Sequence, residues 1–244
     1  MNSNFKRLYT KHSLKPNNYI TLTNKQHHYI KNVMRIKNNE YLRMFNGKEG
    51  EWLGKIEKIE KNFTSLYIEK KIRDQINSPD LWLLFAPIKK NRLNILAQKS
   101  TELGVKKFFP IQTKRTNTKN ININNLQLNA IEASQQSERL DVPEFQDEKK
   151  LEDIINFWPN DRCMLYCDEK ASKNKDIIST LNKIKHNFKK WSVIIGPEGG
   201  FTSSEREKIL SLKNIYTITL GKRILRSDTA AAAALFCVQQ LTDT

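Results

Sequence analysis

Apolar and polar positions follow two different patterns along the chain, and the change falls near residue 74. Before that point, short runs alternate in polarity or are rich in aromatic residues, which is typical of strands in a half-exposed antiparallel sheet. The predicted strands are residues 41–45, 51–59 and 63–69. Asn46 and Gly47 predict a turn between the first two strands. Apolar residues at helical spacing predict a helix over residues 27–35.

Beyond that point, wholly apolar runs alternate with segments of helical periodicity. Uniformly apolar strands that alternate with helices indicate a parallel sheet covered on both faces. The predicted strands are residues 81–87, 108–111, 163–167, 191–196 and 215–221. The predicted helices are residues 92–103, 121–140, 203–212 and 228–241, with a lysine-rich helix that ends near residue 188. The polar segment 74–79 ends in proline and predicts a linker, so we expect domains 1–73 and 74–244.

Charge narrows the classes of partner. The 244 residues carry a net charge of +16, and residues 1–71 hold 15 Lys or Arg against 6 Asp or Glu. Such a field attracts nucleic acid, although lysine drift in an AT-rich genome would produce the same excess. The longest apolar run, residues 230–238, is far shorter than the roughly 20 residues of a membrane span. Three cysteines without a CxxC pair or a histidine cluster indicate free thiols in the cytoplasm and no metal site.

Residues 194–205, IIGPEGGFTSSE, lie between a predicted strand and a predicted helix and hold three of the eight glycines. Glycine allows positive φ and close approach of the backbone to a ligand, and ligands of open α/β sheets bind beyond the carboxyl ends of strands. The segment lacks the spacing of phosphate-binding loops, and Glu198 would repel a phosphate. A carboxylate among backbone donors suits a neutral or cationic ligand, and S-adenosylmethionine carries a sulfonium. The alternative is a tight turn that binds nothing.

A second loop of this kind covers residues 220–230, LGKRILRSDTA. It also joins a predicted strand to a helix, for which Ser227 or Asp228 is the expected N-cap. The helix begins with five alanines, which favour helix formation and allow another backbone to pack closely. Helix propensity alone would also explain the alanines.

Two polar segments lie earlier in the chain. Residues 89–104 contain KKNR and QKSTELG, and a helix would place Arg92, Lys99 and Glu102 near one face. Residues 135–143, QQSERLDVP, predict a polar helix end. Taken alone, both segments are typical of solvated surface.

Together, these motifs resemble the RsmE family, the ribosomal RNA small subunit methyltransferases E of the SPOUT superfamily. The resemblance also includes FKRLY and QHHYIKNVMRIKNNEYLRMFNGKEGEW near the N-terminus, and it spans essentially the whole chain. GPEGG and LGxRILRxxTA, in that order and each at a strand end, are highly specific. Three positions depart from the family pattern: Lys222 stands where proline is common, Asp228 where glutamate is common, and Glu138 where glycine is frequent.

The resemblance implies an α/β fold. Its C-terminal part is a SPOUT domain with a parallel sheet and a trefoil knot, whereas most protein folds are unknotted. A small PUA-like β-barrel domain that binds RNA precedes it. It further implies a cytoplasmic homodimer that uses S-adenosylmethionine to methylate N3 of one uridine in 16S rRNA of the small ribosomal subunit. The residues that map onto the cofactor loops are Gly196, Pro197, Glu198, Gly199, Gly200, Leu220, Gly221, Ile224, Leu225 and Arg226.

Methyl transfer to N3 requires loss of the N3 proton and stabilisation of the charge that develops on O2 and O4. We expect Arg226 to stabilise this charge, and Glu198 or Asp228 to accept the proton. Asp228 could equally cap its helix. The residues predicted to contact RNA are Arg7, Arg35, Arg92, Lys99 and Arg139.

Two alternatives stay open at this point. One is a related knotted methyltransferase that acts on another RNA position, such as a tRNA base or a ribose 2′-OH. The other is a non-catalytic RNA-binding protein that kept the fold, for which degraded cofactor loops would be expected.

Overall fold

The structure, a computed structural model, describes residues 5–118, 121–169, 171 and 175–242. The chain divides into two compact units, Met1–Asn77 with Ser134–Asp141, and Ser78–Ala133 with Val142–Thr244. The first four residues of the predicted domain 1–73 and the last two of the predicted domain 74–244 lie outside the described residues. The domain boundary between residues 73 and 74 stays a prediction.

The N-terminal unit contains a five-stranded sheet with the strand order β1-β3-β4-β5-β2. Its elements are β1 (Arg7–Tyr9), β2 (Asn18–Thr23), α1 (Asn24–His28), β3 (Tyr41–Phe45), β4 (Glu51–Ile59) and β5 (Phe63–Arg73). β1 runs parallel to β3, and the other neighbours are antiparallel. Alternate residues of the strands, such as Ile20 and Leu22 in β2, are buried in one apolar core. One buried face explains the alternating pattern of this region.

The strands predicted at residues 41–45 and 51–59 are confirmed, and β5 continues four residues beyond the predicted end. The predicted helix over residues 27–35 is only partly right, because α1 passes into a π-helical turn, Tyr29–Val33. Arg35 then adopts a positive φ of 52°, which ends the helical conformation. The short strands β1 and β2 were not predicted.

The elements from residue 78 onward alternate between strand and helix. They are β6 (Asp80–Phe85), α2 (Lys90–Glu102), β7 (Lys107–Gln112), α3 (Ile123–Gln136), β8 (Glu144–Phe145), β9 (Lys149–Lys150), α4 (Leu151–Asn156), β10 (Cys163–Cys167), α5 (Ile177–Ile184), β11 (Lys190–Ile195), α6 (Ser203–Leu210), β12 (Ile215–Ile218) and α7 (Ser227–Leu241). The strands form a seven-stranded sheet with the order β12-β10-β11-β6-β7-β8, in which β9 also pairs with β7. All pairs are parallel.

Both faces of this sheet are covered, as the uniformly apolar strands predicted. In β10, Leu165 belongs to the core beneath α2, α5 and α7, whereas Met164 and Tyr166 belong to the core beneath α4 and α6. Where α7 packs against α2, Ala231 and Ala234 are fully buried. Small side chains at these positions let the two helices approach closely. The predicted parallel α/β architecture is therefore confirmed.

Helix ends follow local backbone chemistry. Gly104, which follows the C-cap Leu103 of α2, has a φ of +85°, the left-handed conformation that glycine often adopts beyond a helix end. The helix predicted over residues 121–140 ends earlier, at Gln136, and Glu138 beyond it has a φ of +63°. A left-handed residue cannot continue a right-handed helix, which is why the predicted helix was too long.

Candidate active site

The two glycine-containing loops meet in a cleft at the carboxyl ends of β10, β11 and β12. These strands are parallel neighbours, so their following loops lie at one edge of the sheet. The cleft has a volume of about 460 Å³. Its lining includes all ten predicted cofactor residues: Gly196, Pro197, Glu198, Gly199, Gly200, Leu220, Gly221, Ile224, Leu225 and Arg226. The structure brings them together, and their contact with a cofactor stays a prediction.

Residues Pro197–Gly200 form a tight turn, in which the Gly200 N–H donates to the Pro197 carbonyl at 2.8 Å. Gly200 and Gly221 have φ angles of +68° and +113°, so glycine is needed at both positions for the backbone conformation. A Cβ atom at either position would meet no other atom within 4 Å. The backbone of both loops is therefore open to a ligand.

Gly196 has a different, steric reason to be glycine. A Cβ atom there would lie 2.9 Å from Cε2 of Phe201, closer than packed atoms allow. The Phe201 ring packs edge-on against Tyr166, with ring centroids 5.6 Å apart. Gly196 thus makes room for an aromatic ring that anchors the far end of its own loop.

The two glycine-containing loops are joined directly by a hydrogen bond. The Ser227 hydroxyl donates to the Gly196 carbonyl at 3.1 Å. The expectation that Ser227 or Asp228 would be the N-cap of α7 was wrong, because Arg226 occupies the N-cap position, and its side chain makes no capping hydrogen bond. The serine hydroxyl is used between the loops instead.

Residues after β7 also contact the loop between β11 and α6. The sequence did not indicate these contacts. Thr202 and Glu205 form the capping box of α6, and the sequence T-S-S-E has the spacing of this motif. The buried Glu205 carboxylate additionally accepts the Lys114 backbone N–H at 2.7 Å. The Arg115 guanidinium donates to the Gly199 carbonyl at 2.7 Å. No sequence motif pairs residues 114 and 115 with this loop, since the contacts cross more than 80 positions.

Charged side chains of both signs line the cleft. Arg92 lies 3.8 Å from the Glu198 carboxylate, so a predicted RNA contact and a predicted base face each other. At the end of β10, the buried Asp168 carboxylate accepts two hydrogen bonds from Arg206, at 2.8 and 3.1 Å. Hydrogen bonding to Asp168 raises the pKa of Arg206, so this guanidinium stays charged. Neither Asp168 nor Arg206 was predicted, because both are isolated in the sequence.

The cleft also contains two weak acids that stay protonated at neutral pH. Burial, with the nearby Asp168, raises the pKa of Tyr166 to about 12. Burial likewise raises the pKa of the Cys167 thiol. Since the thiolate is the nucleophilic form of cysteine, Cys167 is unsuited to covalent catalysis.

The three predicted catalytic residues differ in their placement. Arg226 is exposed and lines the cleft, as does Glu198. Asp228 is not among the lining residues, and its buried Oδ1 atom has no hydrogen-bond partner within the described part of the chain. Asp228 lies in the first turn of α7, where a carboxylate interacts favourably with the helix dipole.

The residues predicted to contact RNA differ in their exposure and in their ion pairs. Arg92 lies in the cleft, and Arg35 is exposed on the N-terminal unit. Lys99 is exposed but paired with Glu102 at 2.9 Å. Arg139 is mostly buried, with 8% of its side chain exposed, and it binds Asp141 at 3.1 Å. A direct RNA contact by Arg139 would have to compete with this pair.

For Arg7 a direct RNA contact stays a prediction, and the structure shows its side chain engaged inside the fold. Its side chain is only 3% exposed, and its Nε donates to the fully buried Glu51 at 2.5 Å. Its remaining donors bind the backbone carbonyls of Ser134, Gln135 and Arg139, at and just beyond the end of α3. Arg7 therefore neutralises a buried carboxylate and caps a helix end within its own unit.

Among the described residues there is no group of three or more His, Cys, Asp or Glu side chains that could hold a metal ion. No helix within the described ranges is both long and apolar enough to cross a membrane.

Comparisons with known proteins identify the family of the chain. An RNA methyltransferase domain model matches residues 76–239, and an RNA methyltransferase PUA domain model matches residues 22–66. The ribosomal RNA small subunit methyltransferase E of Rickettsia conorii is 35% identical over 97% of this chain and 96% of its own length. The Bacillus subtilis protein of the same name is 26% identical over 96% and 94%, respectively.

A solved structure of similar fold is the ribosomal RNA small subunit methyltransferase E of Neisseria gonorrhoeae bound to S-adenosylmethionine. It has a TM-score of 0.85 and 26% identity, and the match covers 98% of each chain. A methyltransferase of Legionella pneumophila with bound S-adenosylmethionine has a TM-score of 0.85 and 25% identity, over 97% of this chain and 98% of its own. The chain therefore belongs to the ribosomal RNA small subunit methyltransferase E family of RNA methyltransferases.

Proposed function

We propose that this protein methylates N3 of a specific uridine in 16S rRNA, with S-adenosylmethionine as the methyl donor. The observation that carries the proposal is the cleft at the carboxyl ends of β10, β11 and β12, which both glycine loops line. The similar proteins from Neisseria gonorrhoeae and Legionella pneumophila were crystallised with this cofactor. Intact loops argue against the alternative of a non-catalytic RNA-binding protein.

The donor groups of the cleft fit S-adenosylmethionine. Open backbone at Gly200 and Gly221 suits the adenosine, which backbone groups can recognise. Carboxylates such as Glu198 suit a sulfonium or an ammonium group, and Arg206 suits a carboxylate. When bound, S-adenosylmethionine supplies an electrophilic methyl group.

We assign charge stabilisation to Arg226. Loss of the N3 proton leaves negative charge on the uracil oxygens, and a guanidinium can donate to two acceptors at once. The N-cap side chain of α7 makes no capping hydrogen bond, so the first amide groups and the dipole of this helix add to the positive field beside Arg226.

We assign proton acceptance to Glu198 rather than to Asp228, because Glu198 lines the cleft and Asp228 does not. Arg92, at 3.8 Å, holds the Glu198 carboxylate at the mouth of the cleft. Asp228 would then act through the first turn of α7, as a charge that stabilises the helix.

We further propose the domain roles and the assembly. Residues 1–73 would bind RNA and residues 74–244 would carry the chemistry, in a cytoplasmic homodimer with a C-terminal trefoil knot. The position of β12 beside β10, rather than beside β11, supports a chain path that returns past its own earlier loop. Exposed apolar side chains support self-association, since Ile224 is 81% exposed and Phe236 on α7 is 53% exposed. Light scattering of the purified protein would test the dimer.

The reaction itself is testable with 16S rRNA from a strain that lacks this gene. The purified protein with S-adenosylmethionine, in EDTA, is expected to add one methyl group at N3 of one uridine, located by mass spectrometry of nuclease fragments. Methylation at a ribose or at another base would favour a related methyltransferase of different specificity. No methylation of rRNA or small subunits, together with no heat of cofactor binding, would refute the proposal.

A further inference from the structure

We propose that Arg115 is a positioning residue of the cofactor loop, and that the turn Thr113–Thr116 after β7 braces this loop in the conformation that binds S-adenosylmethionine. This inference rests on the proposed function. It starts from the hydrogen bond between the Arg115 guanidinium and the Gly199 carbonyl, 2.7 Å long, which joins two segments 84 positions apart.

The bond adds a second restraint to a peptide unit that the internal hydrogen bond of the turn alone would hold weakly. The Gly199–Gly200 peptide has glycine on both sides, and glycine restricts the backbone least. Its carbonyl accepts from Arg115, and its N–H donates to the Pro197 carbonyl at 2.8 Å. Both polar ends of the peptide are therefore held. Without Arg115, only the internal bond of the turn would hold it.

The bracing segment is itself ordered by its own hydrogen bonds. The Thr116 N–H donates to the Thr113 carbonyl at 3.2 Å, and the Thr113 N–H donates to the Thr116 hydroxyl at 3.0 Å. Lys114 and Arg115 thus occupy the two central positions of a closed turn. The Thr113 side of this turn is buried, which anchors it to the end of β7.

A second contact holds the same loop at its other end. The Lys114 N–H donates to Glu205, whose carboxylate also accepts the Thr202 N–H in the capping box of α6. Lys114 and Arg115 thus form hydrogen bonds to the two ends of the segment 199–205. The side-chain stem of Arg115 lies 3.5 Å from where a Gly199 Cβ would be, so it also packs along the loop.

Arg115 lines the cleft, but its guanidinium is engaged with the loop backbone. We therefore expect it to act through the loop conformation rather than on the reacting atoms. Loss of a charge-assisted hydrogen bond to an exposed loop should weaken cofactor binding about tenfold. The turnover number at saturating cofactor should change less than about twofold, because the bound cofactor selects the same loop conformation.

The test compares full-length Arg115→Met, Arg115→Lys and Lys149→Met. Lys149 is exposed on β9, which pairs with the end of β7, and its replacement is a matched loss of one positive charge. Amide hydrogen exchange of residues 196–202 without cofactor, calorimetry with S-adenosylmethionine, and steady-state kinetics of 16S rRNA methylation are the three readouts. We expect Arg115→Met to exchange about tenfold faster and to bind about tenfold more weakly, Arg115→Lys to recover most of both, and Lys149→Met to match the unmodified chain.

Three results would overturn the inference: unchanged cofactor affinity in Arg115→Met, an equal loss in Lys149→Met, or an effect confined to the KM for RNA. The last would make Arg115 an RNA contact. An unmodified chain that binds no S-adenosylmethionine would instead refute the proposed function. Faster exchange caused by Arg115→Met in that chain would still show that the loop is braced.

Discussion

The hydroxyl of Ser227 donates to the carbonyl of Gly196 at 3.1 Å and joins the two loops that form the cleft. Ser227 is the first residue of α7, and Gly196 directly follows β11. Ser227 is nearly buried, so water competes little for this bond. A displacement of either loop would break the bond, which couples the conformation of one loop to that of the other.

Replacing Ser227 with alanine should therefore loosen both loops. We expect Ser227→Ala to weaken S-adenosylmethionine binding about fivefold, in line with the roughly 1 kcal/mol that a hydrogen bond contributes. Calorimetry would measure the affinity. Thr229→Ala, an exposed change in the same turn of α7, serves as the control and should leave the affinity unchanged. Equal affinities for Ser227→Ala and the unmodified chain would contradict this coupling.

Arg226 should matter for the rate more than for cofactor binding. If its guanidinium stabilises the uracil anion, Arg226→Ala should lower the single-turnover methylation rate by about 10²–10³-fold and leave cofactor affinity within a few fold. Arg226→Lys should recover only part of the rate, since an ammonium lacks the planar fork. Lys213 lies just before the amino end of β12, whereas the cleft lies at the carboxyl ends of the strands. Lys213→Ala therefore removes a positive charge at the other end of the strand and controls for net charge. A normal single-turnover rate, or loss of folding, in Arg226→Ala would remove it from the catalytic residues.

Arg7 and Arg35 should separate folding from RNA binding. Arg7→Ala would remove the nearest partner of the buried Glu51 carboxylate, and we expect the free energy of unfolding to fall by about 3 kcal/mol.

Arg35→Gln changes an exposed side chain, so the free energy of unfolding should stay within about 0.5 kcal/mol of that of the unmodified chain. Its RNA affinity should fall, and the slope of log affinity against log salt should decrease by about one. Urea unfolding and filter binding would check both, and normal RNA affinity of Arg35→Gln would exclude Arg35 as a contact.

Glu138 should make the stability of the N-terminal unit depend on pH. Hydrogen bonds from Arg43, with the charges of Arg7 and Arg73, lower the pKa of Glu138 from its ordinary value of 4.5. A carboxylate with a depressed pKa stabilises the fold fully above its unfolded-state pKa, and this contribution is lost as the pH falls below about 4.5 toward the folded-state value.

Between about pH 7 and pH 3, Glu138→Gln should therefore lose less stability than the unmodified chain in urea unfolding. Glu132→Gln, an exposed carboxylate on α3, is the control. Parallel pH profiles for Glu138→Gln and the unmodified chain would show that the ion pairs are too screened to matter.

Some of this site could be predicted because it is local in the sequence. The strands that lead into the two loops followed from apolar runs, although β12 ends at Ile218 and not at the predicted residue 221. The parallel arrangement followed from strands without polar alternation. The capping box of Thr202 and Glu205 was visible in four consecutive residues. The glycine at 138 that the family favours also has a local explanation, since Glu138 occupies a left-handed conformation.

Sequence alone determined the family, the parallel α/β class and the two loops that form the cleft, because periodicity and turn chemistry are properties of neighbouring residues. Tertiary structure decided which charged side chains are exposed and can contact RNA. Arg7 and Arg35 are the same residue type, yet Arg7 is buried against Glu51 and Arg35 is exposed. Arg115 and Gly199 meet only because β7 and β11 end at the same edge of one sheet. Burial and contacts between distant residues arise from packing, and no local pattern encodes them.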